Sequence, residues 1–362
     1  MKICIITCYK QPDYIRALTL RKSLAEIKGV EVIVVKNSHT GVKRYFEVMY
    51  NVLKTRLKEK PDMFILTFRG YELLMPMRLL TTGKPYVFDE FINLYEWVVY
   101  EHKKLKDGSL GAKLLHSWYR FWLKRTDAIL TDTVSHADLS SDIMRLPRDN
   151  FYPLIVSTDE TTFKRTTAKI SPYADPKAFQ VFYYGNMLPL HGVDVAIDAA
   201  KRLSKQANIH FTIVGGKEAL AEKVQAAVND GAHITYKKWV QFEKLPQYMG
   251  AADVCLGGPF GDTFQAQYVI TGKTYQLLQM GCTVVIGKSK ESHIFTDKKD
   301  ALIVKQGSGK SLADAITWAY EHKDKLPGIA KSGHELYQKE LSNKVLTKQV
   351  KGLLADFGLK NS

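Results

Sequence analysis

The stretch QVFYYGNMLPLHGVD, Gln180–Asp194, decides how the chain folds. Gln180–Tyr184 is an apolar, aromatic run that predicts a buried strand. The turn Gly185–Gly192 follows, and Asp194–Lys205 takes up helical periodicity. A strand, a glycine-bounded turn and a helix form the repeating unit of a parallel sheet covered by helices.

The same alternation extends in both directions. Towards the C-terminus, strands are expected at His210–Val214, Ile234–Lys237, Val254–Gly257, Thr283–Ile286 and Ala301–Val304. Helices are expected at Lys217–Asn229, Lys244–Gly250, Lys273–Met280, Ser311–His322 and 335–357. Towards the N-terminus, strands fall at Lys2–Thr7, Glu31–Val35, Met63–Phe68, Tyr86–Asp89 and Ala128–Thr131. The helix Tyr14–Ile27 places Ile15, Leu18, Leu24 and Ile27 on its apolar side. Further helices cover 43–59, Glu72–Thr82 and 110–125. Between the two runs, Thr158–Lys177 holds Pro172, Pro176 and five Thr with little apolar periodicity, which reads as a linker. The expected organisation is a lobe over 1–165, a linker over 166–177, a second lobe over 178–334, and a helix over 335–362 returning to the first lobe. Two open α/β lobes put a cleft between the C-terminal edges of their sheets, where such sheets bind ligands.

The 362 residues carry 52 Lys and Arg against 37 Asp and Glu, a net charge of +15. With 45% hydrophobic residues, this excludes a disordered chain or a collagen. No uncharged apolar run reaches the ~18 residues of a membrane span. Ile3–Ile6 is too short for the apolar core of a signal peptide, so a cytoplasmic protein is expected. Cys4, Cys8, Cys255 and Cys282 read as reduced thiols, with no zinc-ligand spacing. The positive charge favours anionic partners. Residues 101–125 carry seven Lys or Arg against two acidic residues, interleaved with Trp118, Tyr119, Phe121 and Trp122. That pattern suits an anionic membrane surface, and equally a helix packing its aromatics on a sheet. No nucleic-acid-binding signature is present.

Several apparent motifs fail. Gly272-Lys273-Thr274 and Gly309-Lys310-Ser311 resemble the end of a P-loop, but Gln267 and Val304 stand where its first glycine is required. Gly215-Gly216 lacks the rest of a dinucleotide fingerprint. Asp132, Ser135 and His136 lack a nucleophile-elbow context and are set aside as a triad. Lys273 is different. It falls in the first turn of a helix, where a cation is unfavourable by ~0.3–1 kcal/mol. An anion bound there removes the conflict, and Gly272 lets a phosphate approach the free N–H groups. Asp89 and Glu90 end a strand at the sheet edge that faces the cleft. One of them can orient or deprotonate a hydroxyl, or they cap the next helix.

The segments Tyr184–Val193, Ala251–Gly257, Phe260–Thr263 and Ile270–Gly281, in this order, resemble the donor-binding lobe of the family-four, group-1-like glycosyltransferases. Thr126–Leu130 with Asp132–Ala137, and Ile155–Asp159 with Phe163, resemble the end of that family's first lobe. The resemblance spans nearly the whole chain and implies the GT-B fold: two Rossmann-like lobes with parallel sheets facing a central cleft. It also implies sugar transfer from a nucleotide-diphosphate-sugar to an acceptor hydroxyl of a glycan or lipid-linked acceptor. Retention of anomeric configuration follows from it, with no cofactor and no obligatory metal.

Donor-binding positions by this resemblance are Gly185, Asn186, His191, Gly192, Asp262, Thr263, Gly272, Thr274 and Gln276, with Lys273 stabilising the leaving phosphate. The family usually carries Arg and Lys where Asn186 and His191 stand, and a ribose-binding Glu where Gln276 stands. His191 can still donate from its ring and charge near pH 6.5, or simply fix its own turn. Gln276 can still exchange hydrogen bonds with ribose hydroxyls. Asp262 either meets the transferred sugar or braces its loop. The expected placement is cytoplasmic, peripheral on the inner face of the plasma membrane. A GT-B scaffold without catalysis, or another sugar-nucleotide enzyme such as an epimerase, are the rival readings.

Overall fold

The computed structural model describes residues 1–164, 171–173, 175–206 and 208–358. The chain forms two units. One is Met1–Ser157 with the chain from Asn343 onward, and the other is Thr158–Ser342. Of the expected linker 166–177, residues 166–170 and 174 lie outside the described residues. Within its described part, Tyr173 is buried against Phe182 and Tyr248 in the second unit.

The first unit contains β1 (Lys2–Thr7), α1 (Ile15–Ala25), β2 (Glu31–Lys36), α2 (Lys43–Glu59), β3 (Met63–Leu66) and α3 (Leu74–Leu80). It continues with β4 (Tyr86–Asp89), α4 (Leu110–Leu123), β5 (Ala128–Thr131), α5 (Val134–Met144) and β6 (Phe151–Pro153). The six strands form one parallel sheet in the order β2-β1-β3-β4-β5-β6. The middle strands are covered on both faces, which is why they read as unbroken apolar runs. Side chains alternate between the faces. Cys4, Ile6, Phe64, Leu66 and Phe88 meet the core that α2 to α5 cover, and Ile3, Ile5, Met63, Ile65 and Val87 meet the opposite core. β6 is a three-residue edge strand ending at Pro153, too short to show a period.

The second unit contains β7 (Phe179–Gly185), α6 (Val193–Arg202), β8 (Ile209–Gly215), α7 (Glu218–Asn229), β9 (Ile234–Lys237) and α8 (Leu245–Ala251). Then come β10 (Val254–Leu256), α9 (Gly272–Gln279), β11 (Val284–Gly287), β12 (Leu302–Val304), α10 (Gly309–Glu321) and α11 (Leu326–Leu336). Its parallel sheet runs β12-β11-β10-β7-β8-β9. Strand order therefore reverses between β7 and β10, the point at which an open parallel sheet offers a ligand crevice beyond its carboxyl ends.

Two helices differ from the sequence expectation. The single helix over 335–357 is two elements. α11 packs Leu326 and Ile329 into the second unit's core, and α12 (Asn343–Asp356) packs Leu346, Val350, Leu353 and Leu354 against Ile3 and Ile5 of the first. Extended Ser342 breaks the helical path between them. α1 buries Arg16, Ala17, Leu20 and Leu24, while Ile15 and Leu18 are only half-buried. The helix is rotated from its apolar reading because Arg16 is drawn inward to a carboxylate.

Candidate functional site

At the reversal point, β7 ends in Gly185 with φ 143°, and the chain turns through Pro189–His191 to Gly192 at φ 67°. Gly192 has to be glycine. A Cβ there would lie 2.3 Å from the Gly261 nitrogen. That close approach clamps the turn to the loop after β10, where Gly261 N–H donates to the Leu190 carbonyl at 3.0 Å. The Tyr183 hydroxyl donates to the His191 carbonyl at 2.6 Å and fixes the turn from below.

α9 begins beside this turn. Thr271 caps it, accepting from Thr274 N–H and donating to the Gly257 carbonyl at 2.6 Å. The Thr274 hydroxyl donates to the Gly258 carbonyl. Thr274 is buried and lashes α9 to the loop after β10, so its expected contact with a donor becomes a positioning role. Gly272 has open space where a Cβ would stand.

Lys273 enters the interior from this first turn and is only 6% exposed. Its Nζ lies 5.6 Å from the Tyr183 ring centroid and 3.6 Å from where a Gly185 Cβ would be. No carboxylate pairs with it among the described residues. Burial pulls its pKa down to about 7. A desolvated cation at the positive end of a helix is doubly short of negative charge. What the arrangement can do is bind an anion.

His191 Nδ1 also lies 3.6 Å from the Gly185 Cβ position and accepts the Leu188 N–H at 3.3 Å. That bond assigns the proton to Nε2, which is left as a donor. Burial, then the neighbouring Lys273 charge, push its pKa down to about 2. Burial thus works against the gain of charge expected near pH 6.5, and in the neutral ring Nε2–H is the free donor. Asn186 and Asp262 are exposed on the two clamped loops. Thr263 Oγ1 accepts from Ala266 N–H and braces its loop. Gln276 is buried, its carbonyl receiving the Tyr184 hydroxyl.

The first unit corrects the expectation for Asp89 and Glu90. Neither carboxylate is open to solvent, and both are 0% exposed. Asp89 pairs with Arg16, Nη2 to Oδ1 at 3.1 Å and Nε to Oδ1 at 3.2 Å. Arg16 spends its remaining donors on the carbonyls of Leu154, Ile155 and Thr131. Glu90 accepts from Tyr119, Ser140 and Asn93. Both act as braces at the sheet edge. The discarded triad also resolves. Asp132 sits on His136 Nδ1 at 2.7 Å and Glu96 on Nε2 at 3.4 Å. Against burial, which lowers it, these carboxylates hold the His136 pKa well above its ordinary value. With a carboxylate on each nitrogen, His136 has none left to serve as a base for Ser135.

The structure brings Lys273, Gly185 and His191 together, as the sequence reading grouped them, and adds Tyr183 and Tyr184 as supports that the reading did not assign. The only signal for them was the aromatic pair at the end of β7. Glu96 carried none, because its partner is forty residues away.

Residues 178–322 match the family model of glycosyl transferases group 1. The fold is similar to that of Anabaena HepE in complex with UDP, with a TM-score of 0.75 and 14% identity over 98% of this chain and 100% of that one. The HepE complex with UDP-glucose gives 0.73 at 13% identity, over the same shares of the two chains. Sucrose-phosphate synthase from Thermosynechococcus elongatus gives 0.77 at 13% identity over 99% of each chain. No curated protein matches the chain. Two Rossmann-like units of GT-B type are therefore shown.

Proposed function

We propose that this chain, whose residues 178–322 match the family model of glycosyl transferases group 1, is a transferase that moves a sugar from a nucleotide-diphosphate-sugar to a hydroxyl of a glycan or lipid-linked acceptor. The observation that carries this reading is Lys273, buried and without a carboxylate partner at the N-terminus of α9, beside Gly185 at the strand-order reversal. The helix N–H groups and the ammonium hold the diphosphate, and His191 Nε2–H adds a neutral donor. As the sugar–phosphate bond breaks, charge grows on the leaving oxygen, and Lys273 stabilises it. A preorganised group of this kind is worth roughly 3–4 kcal/mol. No metal is needed to neutralise that charge. Front-face attack, with the leaving phosphate taking the acceptor proton, gives retention. Gln276 and Asp262 are the proposed contacts to ribose and sugar. The HepE complexes make uridine diphosphate donors the first to try.

Calorimetry with UDP and UDP-glucose tests the site. Binding by the wild type and none by Lys273→Ala is expected, and equal binding by both would remove Lys273 from it. Unchanged affinity in EDTA is expected of a metal-free site. A binding subunit without turnover is the second reading, favoured by the neutral His191. Donor binding with neither transfer nor hydrolysis would select it. An anionic membrane surface met through residues 101–125 belongs to the main reading, supported by their seven basic residues. Among the described residues no helix is long and apolar enough to cross a membrane.

A further inference from the structure

The first unit leaves apolar side chains uncovered on the helices of one sheet face. Val42 at the N-cap of α2 and Phe46, Tyr50, Leu53 and Leu57 on the helix are exposed, and Leu57 is 68% exposed. Their spacing of four, four, three and four puts them on one side of the helix, opposite buried Val48 and Val52. On α4, Leu110, Leu114, Trp118 and Phe121 repeat the pattern, opposite buried Ala112, Tyr119 and Leu123. α3 touches both helices and adds exposed Met75 and Leu79. All three helices cover the same core, so their outer sides form one face. Apolar patches of this breadth mark an interaction surface.

The charge of these helices is one-sided. α2 carries five Lys or Arg against two Glu, and α4 carries Lys113 and Arg120 with no acidic residue. At the C-terminal end of α4 lies a pocket of about 800 Å³ whose lining includes Arg120, Lys124, Arg125 and Arg145 and no carboxylate. Phe121 of the α4 stripe forms part of its wall. Arg120 is anchored to the carbonyls of Met144 and Arg145, and Arg125 to that of Phe121. Lys124 and Arg145 have no ion pair among the described residues. The pocket combines two anchored guanidinium groups with two uncommitted cations, and an apolar stripe borders it.

We propose that the face made by α2, α3 and α4 docks on a bilayer of anionic phospholipid. The two stripes enter its interfacial layer, and the pocket at the end of α4 takes the phosphate of one headgroup. Charge complementarity selects this occupant. Aromatic and aliphatic side chains flanked by Lys and Arg match the layered chemistry of such a surface, and guanidinium groups pair with phosphate oxygens. The inference rests on the membrane placement proposed above. It extends the contact from 101–125 to α2 and α3 and assigns a phosphate site.

Flotation of the full chain with vesicles tests it. The wild type floats with phosphatidylglycerol–phosphatidylcholine vesicles, and at least about tenfold less with phosphatidylcholine alone or in high salt. Phe46→Glu with Leu57→Glu weakens binding about tenfold or more. Lys124→Ala with Arg145→Ala weakens it about thirtyfold for the anionic vesicles, with calorimetric UDP binding unchanged. Wild-type protein that stays with the pellet would overturn the membrane placement itself. Wild-type flotation of the α2 variant would confine the contact to 101–125 and defeat the broad face. Wild-type flotation of the α4 variant would defeat the phosphate pocket. A solution dimer that Phe46→Glu dissociates, with no flotation, would assign the face to a second copy and overturn the proposal. Neither test depends on sugar transfer, so donor binding stands or falls separately.

Discussion

The two sheet edges treat buried charge in opposite ways. In the first unit Arg16 faces Asp89, His136 lies between Asp132 and Glu96, and Glu90 is ringed by three donors. In the second unit Lys273 is equally withdrawn from water yet has an aromatic ring, a glycine and the His191 imidazole beside it, and no carboxylate among the described residues. Desolvating a charge costs several kcal/mol, and a protein recovers that cost by pairing within itself or by pairing with a ligand. The first edge has taken the internal route and is architecture. On the proposed reading, the second keeps its charge for a ligand. Burial alone does not mark a site. Burial without a partner does.

The contrast can be broken at several strengths. Asp89→Ala leaves the Arg16 guanidinium buried and alone, and denaturant unfolding should show a loss of about 3–5 kcal/mol. Replacing both partners, Arg16→Met with Asp89→Leu, should restore most of it; a double variant as weak as the single one would mean the pair is not simple architecture. Lys273→Ala should lower turnover at least about a hundredfold in a donor-consumption assay. Lys273→Met should abolish UDP binding and yet raise the melting temperature of the unliganded protein by about 2–4 °C. No paired residue of the first unit should behave so.

The pH response sharpens the same point. With its pKa near 7, Lys273 is charged below that value and loses its proton above it. UDP captures the charged form, so binding above about pH 7 takes up a proton, and affinity should fall up to about tenfold per pH unit. Calorimetry in buffers of different ionisation enthalpy reads that uptake directly. Stability of the unliganded protein runs the other way. The unfolded chain keeps the lysine proton up to 10.5, so between about 7 and 10.5 the Lys273 contribution rises with pH. The smallest effect concerns the lashing of α9: Thr271→Ala should cost about 1 kcal/mol of stability and loosen UDP binding modestly.

The strand–helix alternation was legible because it is local: continuous apolar runs for covered strands, glycines at turns, 3.6-residue spacing for helices. Lys273 was legible for the same reason, since a cation in a first turn contradicts a local rule. Asp89 and Glu90 were misread as open because their covering partners are remote. Arg16 lies 73 residues before Asp89, and Ser140 lies 50 after Glu90. Arg16 drew no reading of its own because nothing near it in sequence announces an ion pair. The boundary at Ser342 was hidden in unbroken helical periodicity, since both flanking segments are amphipathic and only their destinations differ.

Those destinations bear on the order of assembly during synthesis. Residues 158–342 are contiguous and can close their core once they have left the ribosome. The layer around Ile3 and Ile5 waits for Leu346, Val350 and Leu354, which are translated after the whole second unit. The half made first is therefore finished last, and the nascent N-terminal sheet must shield one greasy flank throughout elongation.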